Sequence, residues 1–145
     1  MFKHILIATD GSDLAQVAVQ TGLELAKALG AKVTAVTVTQ PWAELMPGEA
    51  AITPPVEEYV GALQAEADTI LSSVAEQAKR LQIECTSRHE AEQLPAEGIL
   101  SAAKATACDL IVMSTHGRRG LQRLFLGSQA QKVLTHSTVP ILICR

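Results

Sequence analysis

Ile5-Leu6-Ile7-Ala8-Thr9-Asp10-Gly11-Ser12 opens the chain with an unbroken apolar run that stops at a polar tetrad. A strand wet on one face alternates apolar and polar residues, so a continuous run predicts a strand covered on both faces. Directly after the tetrad, Ala15, Ala18, Gly22, Leu25 and Leu29 recur at three- and four-residue steps, which places them on one helical face. Gly30 follows where a helix end favours a residue tolerant of positive φ. The next run, Val33 to Val38, is rich in β-branched residues and reads as a second strand.

The same alternation continues to the last residues. Thr39 to Pro55 holds Pro41, Pro47, Gly48, Pro54 and Pro55 and reads as a long loop, with Thr53 placed to cap the helix that follows. Leu63, Ala67, Ile70, Val74, Ala78 and Leu81 form that helix's stripe, and Glu84 to Arg88 reads as an exposed, polar strand. Pro95 to Thr106 is a short helix with Ala96, Leu100 and Ala103 on one side, and Leu110 to Met113 is a buried strand. Ser128 to His136 is a last helix, and Ile141 to Cys144 a terminal strand. Five strands alternate with four helices, without internal repeat or linker. That pattern predicts one α/β domain over residues 1–145, a doubly wound parallel sheet with helices on both faces. Ligands of such sheets sit beyond the carboxyl ends of the strands. Three segments therefore matter most: residues 9–12, the end of the second strand at Val38, and the stretch after Met113.

Composition narrows the partners. Hydrophobic residues make up 48% and charged residues 19% of the 145, which excludes a disordered chain. The aromatic residues are Phe2, Trp42, Tyr59 and Phe125, too few for a platform that stacks nucleobases, and a net charge of −3 gives no field for a polyanion. Nucleic acid is not an expected partner. No apolar run approaches the ~20 residues of a membrane span, and the run at 5–8 is short for a secretory signal. Cys85, Cys108 and Cys144 form no Cys-x-x-Cys, and His4, His89 and His136 lack metal-ligand spacing. The expectation is a soluble, cytoplasmic protein whose cysteines fill core positions.

Residues 114–128 carry the chemistry: Ser-Thr-His-Gly-Arg-Arg-Gly-Leu-Gln-Arg-Leu-Phe-Leu-Gly-Ser. Gly117 and Gly127 let backbone N–H groups approach an anion, and Gly127-Ser128 falls at the start of the last helix, whose free N–H groups favour negative charge. Arg118, Arg119 and Arg123 add positive charge. Ser128 either caps the helix or donates to a phosphate, and His116 either contacts a phosphate or bonds to its own loop. Neither a Walker loop nor the Gly-x-Gly-x-x-Gly fingerprint is present.

Together, Ile5 to Ser12, Thr115-His116-Gly117-Arg118-Arg119-Gly120-Leu121, Leu126-Gly127-Ser128 and Val139-Pro140-Ile141-Leu142-Ile143 resemble the universal stress protein family over essentially the whole chain. The resemblance implies a strand order of 3-2-1-4-5 and an ATP site, with Mg2+ or Mn2+ possible on the phosphates. Nucleotide-binding members carry Gly, two residues, Gly, nine residues, Gly, then Ser or Thr. Gly117, Gly127 and Ser128 match that spacing, whereas Ser114 stands at the first glycine. Carried over position by position, Ala8 and Thr9 would line the base and Asp10 would reach the ribose. Val38 would read the adenine edge with its main chain, and Met113 and Ser114 would lie near the sugar. Gly117, Gly127, Ser128 and Gln129 would cradle the phosphates. The resemblance further implies a homodimer paired through the terminal strand, Val139 to Cys144, and a sensor or switch acting on unidentified protein partners.

Other functions fit the residues less well. An interaction module of this fold without nucleotide, and a slow ATPase, are the rival readings, and retained nucleotide and turnover separate them from a binder. A phosphoacceptor receiver domain needs a lysine after its last strand, and the chain ends at Arg145. No Gly-x-Ser-x-Gly elbow exists for a serine hydrolase. The alternative for Asp10 is a cap on the first helix, although Ser12 is available for that, and Trp42 and Met46 either cover the base or pack on the surface. The acidic residues from Glu84 to Glu97 read as a solvated face.

Overall fold

The computed structural model describes residues 1–45, 56–117 and 125–145. Five strands, β1 (His4–Ala8), β2 (Lys32–Val38), β3 (Cys85–Glu90), β4 (Leu110–Ser114) and β5 (Ile141–Cys144), form one sheet in the order β3-β2-β1-β4-β5. Every pairing is parallel. Helices α1 (Asp13–Leu29), α2 (Trp42–Leu45), α3 (Val56–Arg80), α4 (Pro95–Thr106) and α5 (Ser128–His136) connect them. The doubly wound α/β topology expected from the sequence is the one observed.

Both faces of the sheet are covered, which is why β1 and β4 are apolar throughout. Ile5 and Ile7 of β1 meet α1 and α3 in one core, while Leu6 and Ala8 meet α4 and α5 in the other. Ile5, Leu6, Ile7, Ile111 and Val112 are fully buried, each contributing about 1.5–3 kcal/mol relative to exposure. Ser12 caps α1 by accepting from the Ala15 N–H at 3.2 Å, and Gly30 ends it at φ 64°. Asp10 is thus not the cap.

Several sequence expectations shift in detail. The buried face of α1 is Ala15, Ala18, Val19, Gly22, Leu23 and Ala26, with Leu25 and Leu29 at its margin. On α4 the buried residues are Ala96, Gly98, Ile99 and Ala102, while Leu100 and Ala103 are only partly covered. The short helix α2 lies in what reads as pure loop. Thr53 and Met46 lie outside the described residues. The acidic stretch from 84 to 97 is not uniformly solvated. Glu90, 8% exposed, is hydrogen-bonded by Arg88 on the same strand and by the Gln93 amide at 2.9 Å. Among the described residues no helix is long and apolar enough to cross a membrane.

At the amino ends of the strands, His4 Nε2 bonds Thr34 Oγ1 at 2.8 Å, and Thr34 bonds Thr86 Oγ1 at 3.0 Å. Burial, reinforced by the charge of Lys32, holds the His4 imidazole below its ordinary pKa of 6.5, against the opposing pull of Asp109, the Thr106 main chain and Glu84. The unfolded chain therefore binds this proton at higher pH than the fold does. The stabilisation from neutral His4 is complete above about pH 6.5 and is lost as pH falls through the folded value. In urea titrations the stability of the wild type relative to His4→Gln should decline from pH 7.5 to pH 5. A pH-independent difference would contradict the assignment.

Candidate functional site

The carboxyl ends of β1, β2 and β4 open into a cavity of about 800 Å3. It lies where strand order reverses, since β1 pairs with β2 on one side and β4 on the other. All ten residues singled out from the sequence line it: Ala8, Thr9, Asp10, Val38, Met113, Ser114, Gly117, Gly127, Ser128 and Gln129.

The turn after β1 is held by its own side chains. Thr9 Oγ1 accepts from the Gly11 N–H at 3.2 Å, and Asp10 Oδ1 accepts from the Ser12 N–H at 3.0 Å. Gly11 supplies the left-handed φ of 78° that this turn requires. Asp10 is thereby aimed across the crevice: a methyl group built on Gly117 would stand 2.8 Å from its Oδ2. Gly117 is needed for space beside the carboxylate, because its φ is not in the left-handed region.

At the end of β2 main-chain polar groups face the cavity. In the β2–β3 register the N–H groups of Val33 and Thr39 donate to β3, to Glu84 at 2.8 Å and Glu90 at 2.9 Å. Alternate residues of β2 therefore turn their polar groups toward β1, where the Val36 carbonyl accepts from the Thr9 N–H at 3.0 Å. β1 ends at Ala8, so Val38, the next in alternation, presents its N–H and C=O past the end of β1, on the cavity side. One donor and one acceptor thus sit side by side on a fixed strand.

Opposite, Gly127 is the N-cap of α5 and Ser128 its first residue, so the serine is not the cap. The first intrahelical bond runs from Gln131 N–H to the Gly127 carbonyl at 3.0 Å. The N–H groups of Ser128, Gln129 and Ala130 precede it, and these residues face the cavity. The Gly127 N–H donates to the Thr115 carbonyl at 2.9 Å, and a methyl on Gly127 would lie 2.8 Å from that oxygen. Close approach, again, is what excludes a side chain.

Ser114 closes β4 in ordinary strand geometry, 8% exposed, and its Oγ donates to the His116 carbonyl at 2.8 Å. No positive φ is demanded there, so serine in place of glycine introduces no backbone strain. The His116 side of this loop lines the cavity beside Gly127. Gln129 differs from expectation in one respect. Its side-chain oxygen accepts from the Ala96 N–H at 3.0 Å, capping α4, whose own N-cap Leu94 makes no side-chain bond. Gln129→Ala should therefore destabilise the protein by about 1 kcal/mol in urea unfolding. An unchanged midpoint would show the cap to be unimportant.

The chain matches the universal stress protein family model over residues 1–145. The chain belongs to the universal stress protein family. The "universal stress protein in QAH/OAS sulfhydrylase 3'region" of Thermus aquaticus is 36% identical over 153 residues, with 100% of both chains covered. Among solved structures, hypothetical protein MJ0577 of Methanocaldococcus jannaschii superposes with a TM-score of 0.80 at 24% identity, covering 99% of this chain and 96% of that one. A universal stress protein solved in complex with cAMP gives a TM-score of 0.72 at 22% identity, with 99% and 97% covered.

Within this family fold the sequence missed one whole wall. Tyr59, Leu63, Glu66 and Ile70 of α3 line the cavity together with Pro95 and Ile99 of α4. Leu63 and Ile70 belong to a helical stripe that reads as core. However, α3 has 25 residues, about 37 Å, against about 23 Å for the seven residues of β2. Its buried residues begin only at Ala67, and its earlier turns run beyond the sheet. Trp42 packs edge-on against Tyr59, with ring centroids 4.3 Å apart, so it supports the wall from outside. Arg118, Arg119, Gly120 and Arg123 lie outside the described residues. Burial raises the thiol pKa of Cys85 and Cys108, which suits packing rather than nucleophilic chemistry.

Proposed function

We propose that this universal stress protein binds ATP in the crevice and acts as a nucleotide-dependent switch. The observation that carries the reading is the pairing of two unlike ends in one cavity. At one end Val38 offers an N–H and a C=O between apolar walls, complementary to N1 and the N6 amino group of adenine. At the other, the uncapped N-terminus of α5 meets Gly117 and Gly127, whose lack of Cβ lets phosphate oxygens approach N–H groups. Asp10 lies between the ends, within reach of ribose hydroxyls. A family relative solved with cAMP supports an adenine nucleotide in such a fold.

No group of three or more His, Cys, Asp or Glu suited to a metal occurs among the described residues. A Mg2+ or Mn2+ ion would therefore ride on the phosphates, with the triphosphate supplying most of its ligands. Amide chemical shifts measured during ATP addition test the location. The largest changes should fall at Val38, Gly117 and Ser128, whereas changes centred on the opposite pole, around Lys27 and Gln82, would refute it. Occupancy would alter the surface formed by the connections after β2 and after β4, the surface offered to protein partners. Equal hydrogen-exchange protection of both connections with and without ATP would rule out the switch.

Two further assignments accompany this reading. Among the described residues β5 pairs with β4 alone, and its outer edge, bearing the half-buried Ile141, Leu142 and Ile143, suits pairing with a second copy. Sedimentation at micromolar concentration should show about twice the 15.4 kDa chain mass, and a monomer would defeat the assignment. Cys85, Cys108 and Cys144 are free thiols, which suits a reducing compartment such as the cytoplasm.

A further inference from the structure

We propose that Gly98, lacking any side chain, is a positioning residue for the base-reading end of β2. Gly98 is the fourth residue of α4, buried, and not in the left-handed region of φ. Glycine weakens a helix interior relative to alanine, and no turn or cap calls for it here. Space calls for it instead. A Cβ at position 98 would stand 2.6 Å from both Cγ atoms of Val38 and 3.2 Å from its Cβ.

Neither partner has an easy retreat. α4 is fixed by its Pro95 start, by the cap from Gln129 on Ala96, and by Ala96, Ile99 and Ala102 in the core. Val38 is β-branched, so its side chain has few alternatives at χ1. On the β3 side its neighbour Thr39 is held by the bond to Glu90. Toward the cavity, however, β1 has ended, and among the described residues no strand pairs with Val38 on that side. An added methyl group therefore displaces the Val38 peptide on the side where its N–H and C=O meet the ligand. The inference rests on the nucleotide reading above and adds to it that α4 sets how far the base can enter.

Calorimetric titration with ATP and with UTP, which share ribose and triphosphate while uracil turns an N–H donor and a carbonyl acceptor where adenine has an acceptor and an amino donor, tests it on four proteins: wild type, Gly98→Ala, Val38→Ala and the double variant. Gly98→Ala should lose at least about tenfold in ATP affinity while UTP affinity changes by less than about threefold. In the Val38→Ala background, where the Cγ atoms are gone, adding Gly98→Ala should change ATP affinity by less than about twofold. Wild-type ATP affinity in Gly98→Ala, or equal losses for both nucleotides, overturns the inference and leaves the nucleotide reading standing. Should Gly98→Ala fail to fold, a further loss of ATP affinity in the double variant relative to Val38→Ala overturns it. A wild type that binds no ATP removes the nucleotide reading and this inference together.

Discussion

Gly127→Ala is expected to lower ATP affinity by about 100-fold, equivalent to about 2.7 kcal/mol. The backbone at Gly127, φ −62° and ψ 154°, suits any residue, so the effect is steric. The new Cβ would come within 2.8 Å of the Thr115 carbonyl oxygen, which accepts the N–H of the same residue. That oxygen cannot withdraw without releasing the bond that places the loop against α5. Relief must come from separating the 115–117 turn from the α5 N-terminus, and that juncture is where the phosphates are expected. Overpacking of this kind also costs about 1–3 kcal/mol of stability. Gly61→Ala is the matched control, because nothing lies within 4 Å of a Cβ there and the residue is exposed on α3. It should raise stability by about 0.5–1 kcal/mol and leave ATP binding intact. Equal binding by Gly127→Ala and Gly61→Ala would remove the phosphate end from the site.

Asp10→Ala is the second large effect. A hydrogen bond to a charged group contributes about 1.5–3 kcal/mol, so losing the carboxylate from the ribose should cost ATP affinity roughly 10- to 150-fold. The substitution also takes one acceptor from the Ser12 N–H in a part-buried turn, while the α1 cap on Ser12 remains. Unfolding should shift by about 1 kcal/mol. Asp10→Asn keeps the shape and one acceptor and should fall between wild type and alanine. Binding by Asp10→Ala within about threefold of wild type would show that the carboxylate, despite facing Gly117, does not touch the ligand.

Much of this molecule is legible in the chain because its punctuation is chemical. Pro95 and Gly127 start α4 and α5 at the residues expected, and Gly30 ends α1 with the positive φ that a glycine there announces. The apolar runs of β1 and β4 predict two-sided burial, and both are covered on two faces. What escapes the sequence depends on distances between elements. Helix α2 has four residues, too few to show a period. Glu90 reads as a surface carboxylate until Arg88, two residues earlier on the same strand face, is seen beside it. The α3 wall is hidden because an apolar stripe does not reveal where the sheet beneath it stops. Gly98 is silent for the same reason: only the contact with Val38 explains it. Ser114 shows the converse, a departure from a family motif that the strand geometry absorbs through one hydrogen bond.

The central claim is that the crevice is an ATP site, and calorimetric titration of nucleotide-free protein with ATP and magnesium tests it most directly. Saturable micromolar binding at one ATP per chain, weakened in both Gly127→Ala and Asp10→Ala but retained in Gly61→Ala, is the expected result. No heat of binding from a folded wild-type protein, confirmed by the absence of ATP-dependent amide shifts, would contradict the account and leave the fold as a module that works through protein partners alone.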